Sequence, residues 1–391
     1  MTQRLTIVLP LKGRHLFTLR FLWHANGARL PYRFLIADGE VHPELAKLLE
    51  DSRKTFPHLD IEYIRYPDDV DFKRYFAKMA DVFQRVRTPY VKIADNDDFL
   101  APAGLECCMD FLDARSDYVC CSGGIAGFSL RASQRDSTKL VIGPLNKLAY
   151  RRGPHFRAVD LNSPCATDRV LAGLRNMWNF YAVFRTSALA TMWKELLEIN
   201  PTNLQLAERF LTMRALTLGK AKSDPSIFSY CMQNWTSMQL HWPSSQSAIR
   251  RDFAHYLLRS RFTEDVANVV DRISRRLAEL DHGDSEKIAD RLRGPLGEWV
   301  RTLIRHDFGA YATLRRHLRA RAPWLLTWLK TRRRLRLVWE RKNILDQLRK
   351  DGATREYLAK FKSELAEIED VLTGQGFKDF LGQRLPTLVS R

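Results

Sequence analysis

The sequence predicts an α/β domain built on an open, mostly parallel sheet with helices on both faces, followed by an all-α region. Three observations carry that expectation. Within the first hundred residues, short apolar runs alternate four times with helix-spaced segments, the pattern of βαβ units. The apolar runs are continuous rather than alternating, as in parallel strands covered on both faces. From about residue 250 onward, Gly and Pro thin out and β-branched runs disappear. Apolar residues there fall three and four apart, as at Phe253, Leu257 and Leu258 or at Ile344, Leu345 and Leu348.

Taken in order, residues 5–9 (LTIVL) form the first run, stopped by Pro10, and residues 14–29 show helical spacing at Leu16, Leu19, Leu22 and Trp23. Residues 34–37 repeat the strand pattern and end in the turn Asp38-Gly39. Helix-like 43–55, strand-like 61–64, helix-like 72–86 and the strand 91–94 continue the alternation. That last strand runs directly into Asp95, Asp97 and Asp98. A helix at 103–114 and a strand at 118–121 follow, and 130–160 reads as irregular because it lacks periodicity and carries several Arg, Gly and Pro residues. Beyond it come a helix at 170–177, an aromatic strand at 178–184 (WNFYAVF), helices at 187–199 and 203–218, and a last strand at 227–231. The linker at 243–247 then separates two expected domains, 1–245 and 250–391.

A length of 391 residues suits two domains, and 45% hydrophobic with 11% aromatic residues argues for a folded chain rather than a disordered one. The net charge of +18 divides into an excess of +7 over residues 1–249 and +11 over 250–391, which points to an anionic partner such as a membrane surface, a phosphate-rich substrate or a nucleic acid. Six cysteines show no C-x-x-C and no His at zinc-finger spacing, so buried thiols in a reducing compartment are expected. The N-terminal apolar stretch is too short for a signal peptide, and no run reaches the roughly 18 residues of a membrane span. A cytoplasmic protein is expected, soluble or peripheral at the inner face of the membrane.

The chemistry concentrates in 90–100. In open α/β sheets, ligands bind at the carboxyl edge, where this strand delivers three mutually repelling carboxylates. A divalent cation, Mg²⁺ or Mn²⁺, carrying substrate phosphates would neutralise them. The alternative is an acidic turn capping the helix that begins near Pro102.

Three strand ends line up: TIVLPLKGR after the first, FLIADGE after the second and VKIADNDDFL after the fourth. With the helix FKRYFAKMADVFQRVRTPYV, they resemble the family 2 type of nucleotide-sugar glycosyltransferase with the GT-A fold, over residues 4–240. The resemblance implies a nucleoside-diphosphate sugar donor and inversion at the anomeric carbon. Asp38 would read the base or ribose, Asp95 would face the ribose or reach the metal, and Asp97 would bind the metal directly. Asp98 would be a second ligand or a cap. Pro10, Lys12 and Arg14 on the first loop and Lys78 on the helix before the acidic strand are candidate donor contacts, each with the alternative of a solvated surface charge for the basic ones. Glu208, in LQLAERFLTMRALTLGKAK, matches the family's base, although Arg209 stands where a second acid is usual; its alternative is a helix residue paired with a neighbouring Arg or Lys. Asp168 is a competitor.

The family's Q-x-x-R-W motif is absent; Gln246, Arg250 and Arg251 lie near, and 239–242 (QLHW) is only a partial echo. That favours addition of single sugars over processive synthesis. Trp178, Phe180 and Tyr181 are candidates for stacking on sugars, or simply core. Residues 315–342 hold eleven basic side chains and the single acid Glu340, with Trp324, Leu325, Trp328 and Leu329 at helical spacing. They suit an anionic membrane carrying a lipid-linked acceptor, or one face of a helical bundle, which the availability of several later helices to cover that face favours. The implied function is a metal-dependent glycosyltransferase acting on a cell-surface glycan or lipid-linked acceptor in polysaccharide biosynthesis. The competing reading is a non-catalytic binder of nucleotide sugars or anionic polymers on the same fold. No nucleic-acid motif accompanies the charge.

Overall fold

The computed structural model describes residues 3–40, 42–130, 148–152, 159–176, 179–233, 260–308 and 341–384. The central strand is β1 (Leu5–Leu11), whose Leu5, Ile7, Val8 and Leu9 have no solvent exposure. It pairs in parallel with β2 (Arg33–Asp38) on one side and β4 (Tyr90–Ile93) on the other, and β3 (Asp60–Arg65) extends the parallel array beyond β2. Pro10 lies inside β1, opposite Ala37, rather than ending the strand as expected. Its missing N–H costs no ladder bond toward β4, whose pairing with β1 stops at Val8 and Ile93.

Beyond β4 the sheet becomes mixed. Among the described residues its order is β3-β2-β1-β4-β9-β6-β10-β5, with β9 (Val183–Arg185) antiparallel to both β4 and β6 (Tyr118–Leu130). The long strands β6 and β10 (Lys220–Gln233) are parallel to each other, and β5 (Phe99–Leu100) pairs antiparallel with β10. The expectation of a short strand at 118–121 misses the length of β6. Of the stretch read as irregular, β7 (Leu148–Arg152) pairs with β6 and β8 (Val159–Leu161) with β10, while 131–147 and 153–158 lie outside the described residues. The aromatic run at 178–184 is strand only from Val183. Residues 179–181 form a turn that buries Phe180 and Tyr181, and Trp178 lies outside the described residues.

Helices α1 (His15–Gly27), α2 (Pro43–Glu50), α3 (Ser52–Thr55), α4 (Phe72–Arg85), α5 (Pro102–Ala114), α6 (Ala166–Asn176), α7 (Thr186–Ile199) and α8 (Leu204–Leu218) accompany these strands. Trp193 of α7 is fully buried among Phe76, Phe83 and Phe180, which fixes α4 against α7. All six cysteines are free thiols.

The later helices are α9 (Ser260–Asp281), α10 (Ser285–Phe308), α11 (Arg341–Lys350), α12 (Arg355–Thr373) and α13 (Gly376–Arg384). They supply missing hydrogen-bond partners to the α/β part. Asp281 accepts from the N–H groups of Ala166 and Thr167 at the start of α6, at 2.9 and 2.7 Å. Asp265 accepts from the Thr202 N–H (2.9 Å) just ahead of α8, and Glu364 from the Ala103 N–H (2.6 Å) of α5. The Tyr357 hydroxyl accepts from the Phe228 N–H (2.6 Å) of β10 and donates to the same residue's carbonyl (3.2 Å). Orphan helix N–H groups are thus satisfied by side chains from distant helices. Among the described residues, no helix is long and apolar enough to cross a membrane. The expected linker at 243–247 and the basic stretch at 315–340 lie outside the described residues.

Candidate active site

The carboxyl edge of the parallel strands gathers Asp38, the loop after β1, the loop between β3 and α4, and the acidic turn after β4. Ligand oxygens of Asp95, Asp97 and Asp98 lie within 4.8 Å of one another, a spacing that one divalent cation can bridge. The cap reading of this turn is not supported for α5. Its N-cap is Ala101 with no side-chain cap, Pro102 has no N–H, and the Ala103 N–H goes to Glu364.

Three basic groups lie around the acidic turn, one paired with a carboxylate and two donating to backbone carbonyls. Arg14 donates to Asp97 Oδ2 at 2.8 Å, with only 9% and 4% of the two side chains exposed. Arg20, fully buried on α1, donates to the Asp97 carbonyl and lies over the rings of Phe17 and Phe99 at 5.0 and 4.8 Å. Burial pushes Arg20 down to about 9, while the charge of Asp97 acts the other way. Lys92, in the middle of β4, donates to the Tyr181 carbonyl and sits 4.5 Å above the Tyr230 ring; burial pushes it down to about 7. Lys92 and Arg20 were missed at the sequence level, although a charged residue inside an apolar strand or an apolar helix face is a visible anomaly.

Asp95 is held by two tyrosines. The Tyr181 hydroxyl donates to its Oδ2, and its backbone N–H donates to the Tyr230 hydroxyl at 2.8 Å; the two rings stack 4.8 Å apart. Burial, followed by the neighbouring Asp97 charge, pushes the Asp95 carboxyl from the ordinary 3.8 up to about 6. The native state therefore holds this proton more tightly than the unfolded chain does. Stability from this group is highest below pH 4 and falls as pH rises through about 6. Asp95→Asn is expected to stabilise the fold at pH 7 by on the order of 1–3 kcal/mol and to have almost no effect below pH 4. Calorimetric melts at both pH values check this, and an equal effect at both would refute it.

Asp38 ends β2 fully buried, with Oδ1 accepting from the Glu40 N–H (3.0 Å) and Oδ2 from the Tyr63 hydroxyl (2.7 Å). Burial raises its carboxyl above the ordinary range against these two hydrogen bonds. Next to it, Gly39 leaves room for Asp69, because a Cβ there would come within 2.1 Å of Asp69 Oδ2. That carboxylate pairs with Lys78 at 2.5 Å, with side chains 1% and 2% exposed, and Lys12 donates to the Asp69 carbonyl. Lys78 also donates to the Leu11 carbonyl at 3.4 Å. Neither Lys78 nor Arg14 is the solvated surface charge weighed as the alternative. Lys78→Met should cost on the order of 3–5 kcal/mol by leaving Asp69 buried and unmatched. The double change with Asp69→Leu should recover part of that loss in a denaturant titration, and a fully additive double variant would contradict the pairing.

Glu208 lies in the second turn of α8, half-buried, on a helix whose N-cap Asn203 accepts from the Leu206 N–H at 3.1 Å. The Thr212 hydroxyl, one turn on, lies 3.0 Å from both the Glu208 carbonyl and Asn179 Oδ1, which ties α8 to the turn that carries Tyr181. The Tyr75 phenol of α4 is pushed up by burial and then by the charges of Asp95, Asp69 and Glu208. The Arg209 guanidinium lies 5.4 Å from the Trp299 ring and feels the charge of Glu208. Asp168 is exposed on α6 and pairs with Arg291 at 3.3 Å. Gln246, Arg250 and Arg251 lie outside the described residues.

No family profile and no curated protein matches the sequence. The fold is similar to that of solved glycosyltransferases. Against Staphylococcus aureus TarS 1–349 in complex with UDP-GlcNAc, the identity is 11%, the coverage 94% of this chain and 92% of that one, and the TM-score 0.47. Against the longer S. aureus TarS, identity is 11% and TM-score 0.46; 95% of this chain is covered, but it spans only 54% of that protein. The mannosyltransferase PcManGT from Pyrobaculum calidifontis, in complex with GDP-Man and Mn²⁺, shows 13% identity, coverages of 95% and 88%, and a TM-score of 0.39. With scores below 0.5, these likenesses add nothing to the site geometry described above.

Proposed function

We propose that the chain is a glycosyltransferase that moves a sugar from a nucleoside-diphosphate donor to a glycan or lipid-linked acceptor, with inversion. The observation that carries this reading is the bridging-distance cluster of Asp95, Asp97 and Asp98 at the carboxyl edge of the sheet, with Asp38 on the same edge. The donor set of carboxylate oxygens suits a hard cation such as Mg²⁺ or Mn²⁺, which Asp97 and Asp95 would hold. Such a cation, when bound, would draw charge from the diphosphate as it leaves. Asp38 orients the nucleoside from the end of β2. Lys12 and Arg14 line the diphosphate side from the loop after β1, with Pro10 in the last residues of that strand, and the buried Lys78 braces that loop through the Leu11 carbonyl. Glu208 accepts the proton of the attacking hydroxyl. The two-part organisation, 1–245 with the chemistry and 250–391 as helical support, belongs to the same proposal, as does contact of the basic stretch with an anionic membrane.

Titration calorimetry with UDP and GDP, each with and without Mn²⁺, tests the reading. Cation-dependent diphosphate binding that is lost in Asp97→Asn is the expected result. Salt-sensitive binding to polyanions, with no response to Mn²⁺, would favour the non-catalytic alternative.

A further inference from the structure

The reading above places a cation on Asp97, yet Asp97 already has a cationic partner. Arg14 Nη2 lies 2.8 Å from Asp97 Oδ2, and more than nine-tenths of the Arg14 side chain is buried. The guanidinium arrives there because the loop after β1 doubles back through two successive left-handed residues, Gly13 at φ 68° and Arg14 at φ 59°. A non-glycine residue at positive φ is unfavourable unless surrounding contacts impose it. Asn96 imposes it: its Nδ2 lies 3.5 and 3.3 Å from the Gly13 and Arg14 carbonyls and donates to the Thr18 hydroxyl at 2.9 Å, tying the loop to the acidic turn. The guanidinium rests 4.4 Å from the Phe17 ring. Its Nε is buried with no hydrogen-bond partner among the described residues. Arg14 is thus charge-paired with the cluster but incompletely satisfied there.

We infer that Arg14 is a displaceable internal counter-ion that occupies the cation position on Asp97 in the donor-free protein and transfers to the donor diphosphate when the cation and donor enter. A guanidinium and a divalent ion on the same carboxylate repel each other, and in this proposal cation entry loosens the Arg14–Asp97 pair. Released, its planar fork remains on a loop at the same sheet edge, and phosphate oxygens are the acceptors that a guanidinium fork with an unmet Nε fits best. The consequence is coupling: the donor-free protein binds cation weakly, and diphosphate strengthens that binding by taking Arg14 off Asp97.

The inference rests on the cation reading, and one experiment separates the two. Mn²⁺ binding is followed by the loss of the free-ion electron paramagnetic resonance signal, with and without inorganic pyrophosphate. It is measured on wild type, Arg14→Met, Arg14→Lys and Asp97→Asn, each checked for folding by circular dichroism. Without pyrophosphate, Arg14→Met is expected to bind Mn²⁺ at least tenfold more tightly than wild type. Arg14→Lys, which keeps the charge, should stay near wild type, and Asp97→Asn should not bind. Pyrophosphate should tighten Mn²⁺ binding more in wild type than in Arg14→Met. If Arg14→Met does not fold, Arg14→Gln keeps an N–H for Asp97 without the charge and should show the same gain. Equal Mn²⁺ affinity in wild type and the neutral variant, with loss in Asp97→Asn, would overturn the role of Arg14 and leave the cation site standing. Absence of Mn²⁺ binding from every variant, even with pyrophosphate, would overturn both.

Discussion

Glu208→Gln is expected to lower the transfer rate by about a thousandfold while leaving nucleoside-diphosphate affinity within about twofold of wild type. A thousandfold corresponds to about 4 kcal/mol in the barrier, within the range that a positioned general base supplies. Gln preserves the size and hydrogen-bonding reach of the side chain, so α8 and its Thr212 link to Asn179 should be unaffected. What it loses is the capacity to take a proton. The charge of Glu208 acts on the Tyr75 phenol together with that of Asp95, whereas the competitor Asp168 is paired with Arg291. Initial rates on a panel of nucleotide sugars, combined with calorimetric titration of the diphosphate, check the expectation. If the variant loses diphosphate affinity and keeps its turnover at saturation, Glu208 is a binding residue and the base lies elsewhere.

The parallel half of the sheet was legible because its physics is local. Runs such as LTIVL and FLIAD are continuous and apolar because both faces of β1 and β2 are covered, and the DNDD turn stands out because charge follows such a run without a break. The mixed half was less legible. β10 contains Pro225 and shifts register between Ser223 and Phe228, so no clean period survives in its sequence. In the site, the carboxylates could be found but their counter-charges could not. Arg14 reaches Asp97 through a loop conformation, and Lys92 and Arg20 each count as noise in a hydrophobic pattern. The pair Arg14 and Asp97 is 83 residues apart and the bond from Arg20 to the Asp97 carbonyl spans 77, and periodicity carries no information about such partners. The same holds for Glu364 and Ala103, separated by 261 residues.

Those long-range partners carry the second large expectation: a chain ended at residue 245 should not fold cooperatively. Such a chain keeps every strand of the sheet and every candidate site residue. It loses the acceptors for the Ala166 and Thr167 N–H groups of α6, the Thr202 N–H ahead of α8 and the Ala103 N–H of α5, and the Tyr357 hydroxyl that pairs with Phe228 in β10. Each lost cap costs about 1 kcal/mol, and more where the orphaned group stays buried. The apolar loss is larger. Trp23 gives up its contacts with Phe377 and Phe380, Phe56 its contact with Phe380, and Phe228 its contact with Phe361. At roughly 1.5–3 kcal/mol for each large apolar side chain returned to water, these few contacts already rival the 5–15 kcal/mol that holds a typical domain together. Thermal melts followed by circular dichroism and dye binding should show a broad transition and exposed apolar surface. Adding residues 250–391 as a separate chain should sharpen the melt, because the caps and aromatic contacts are noncovalent and can be supplied in trans. A truncated chain that melts as sharply as the full-length protein would mean that the helical region is an appendage. Asp265 holds the backbone just ahead of α8, so its loss should displace Glu208, the proposed base, even where the sheet survives.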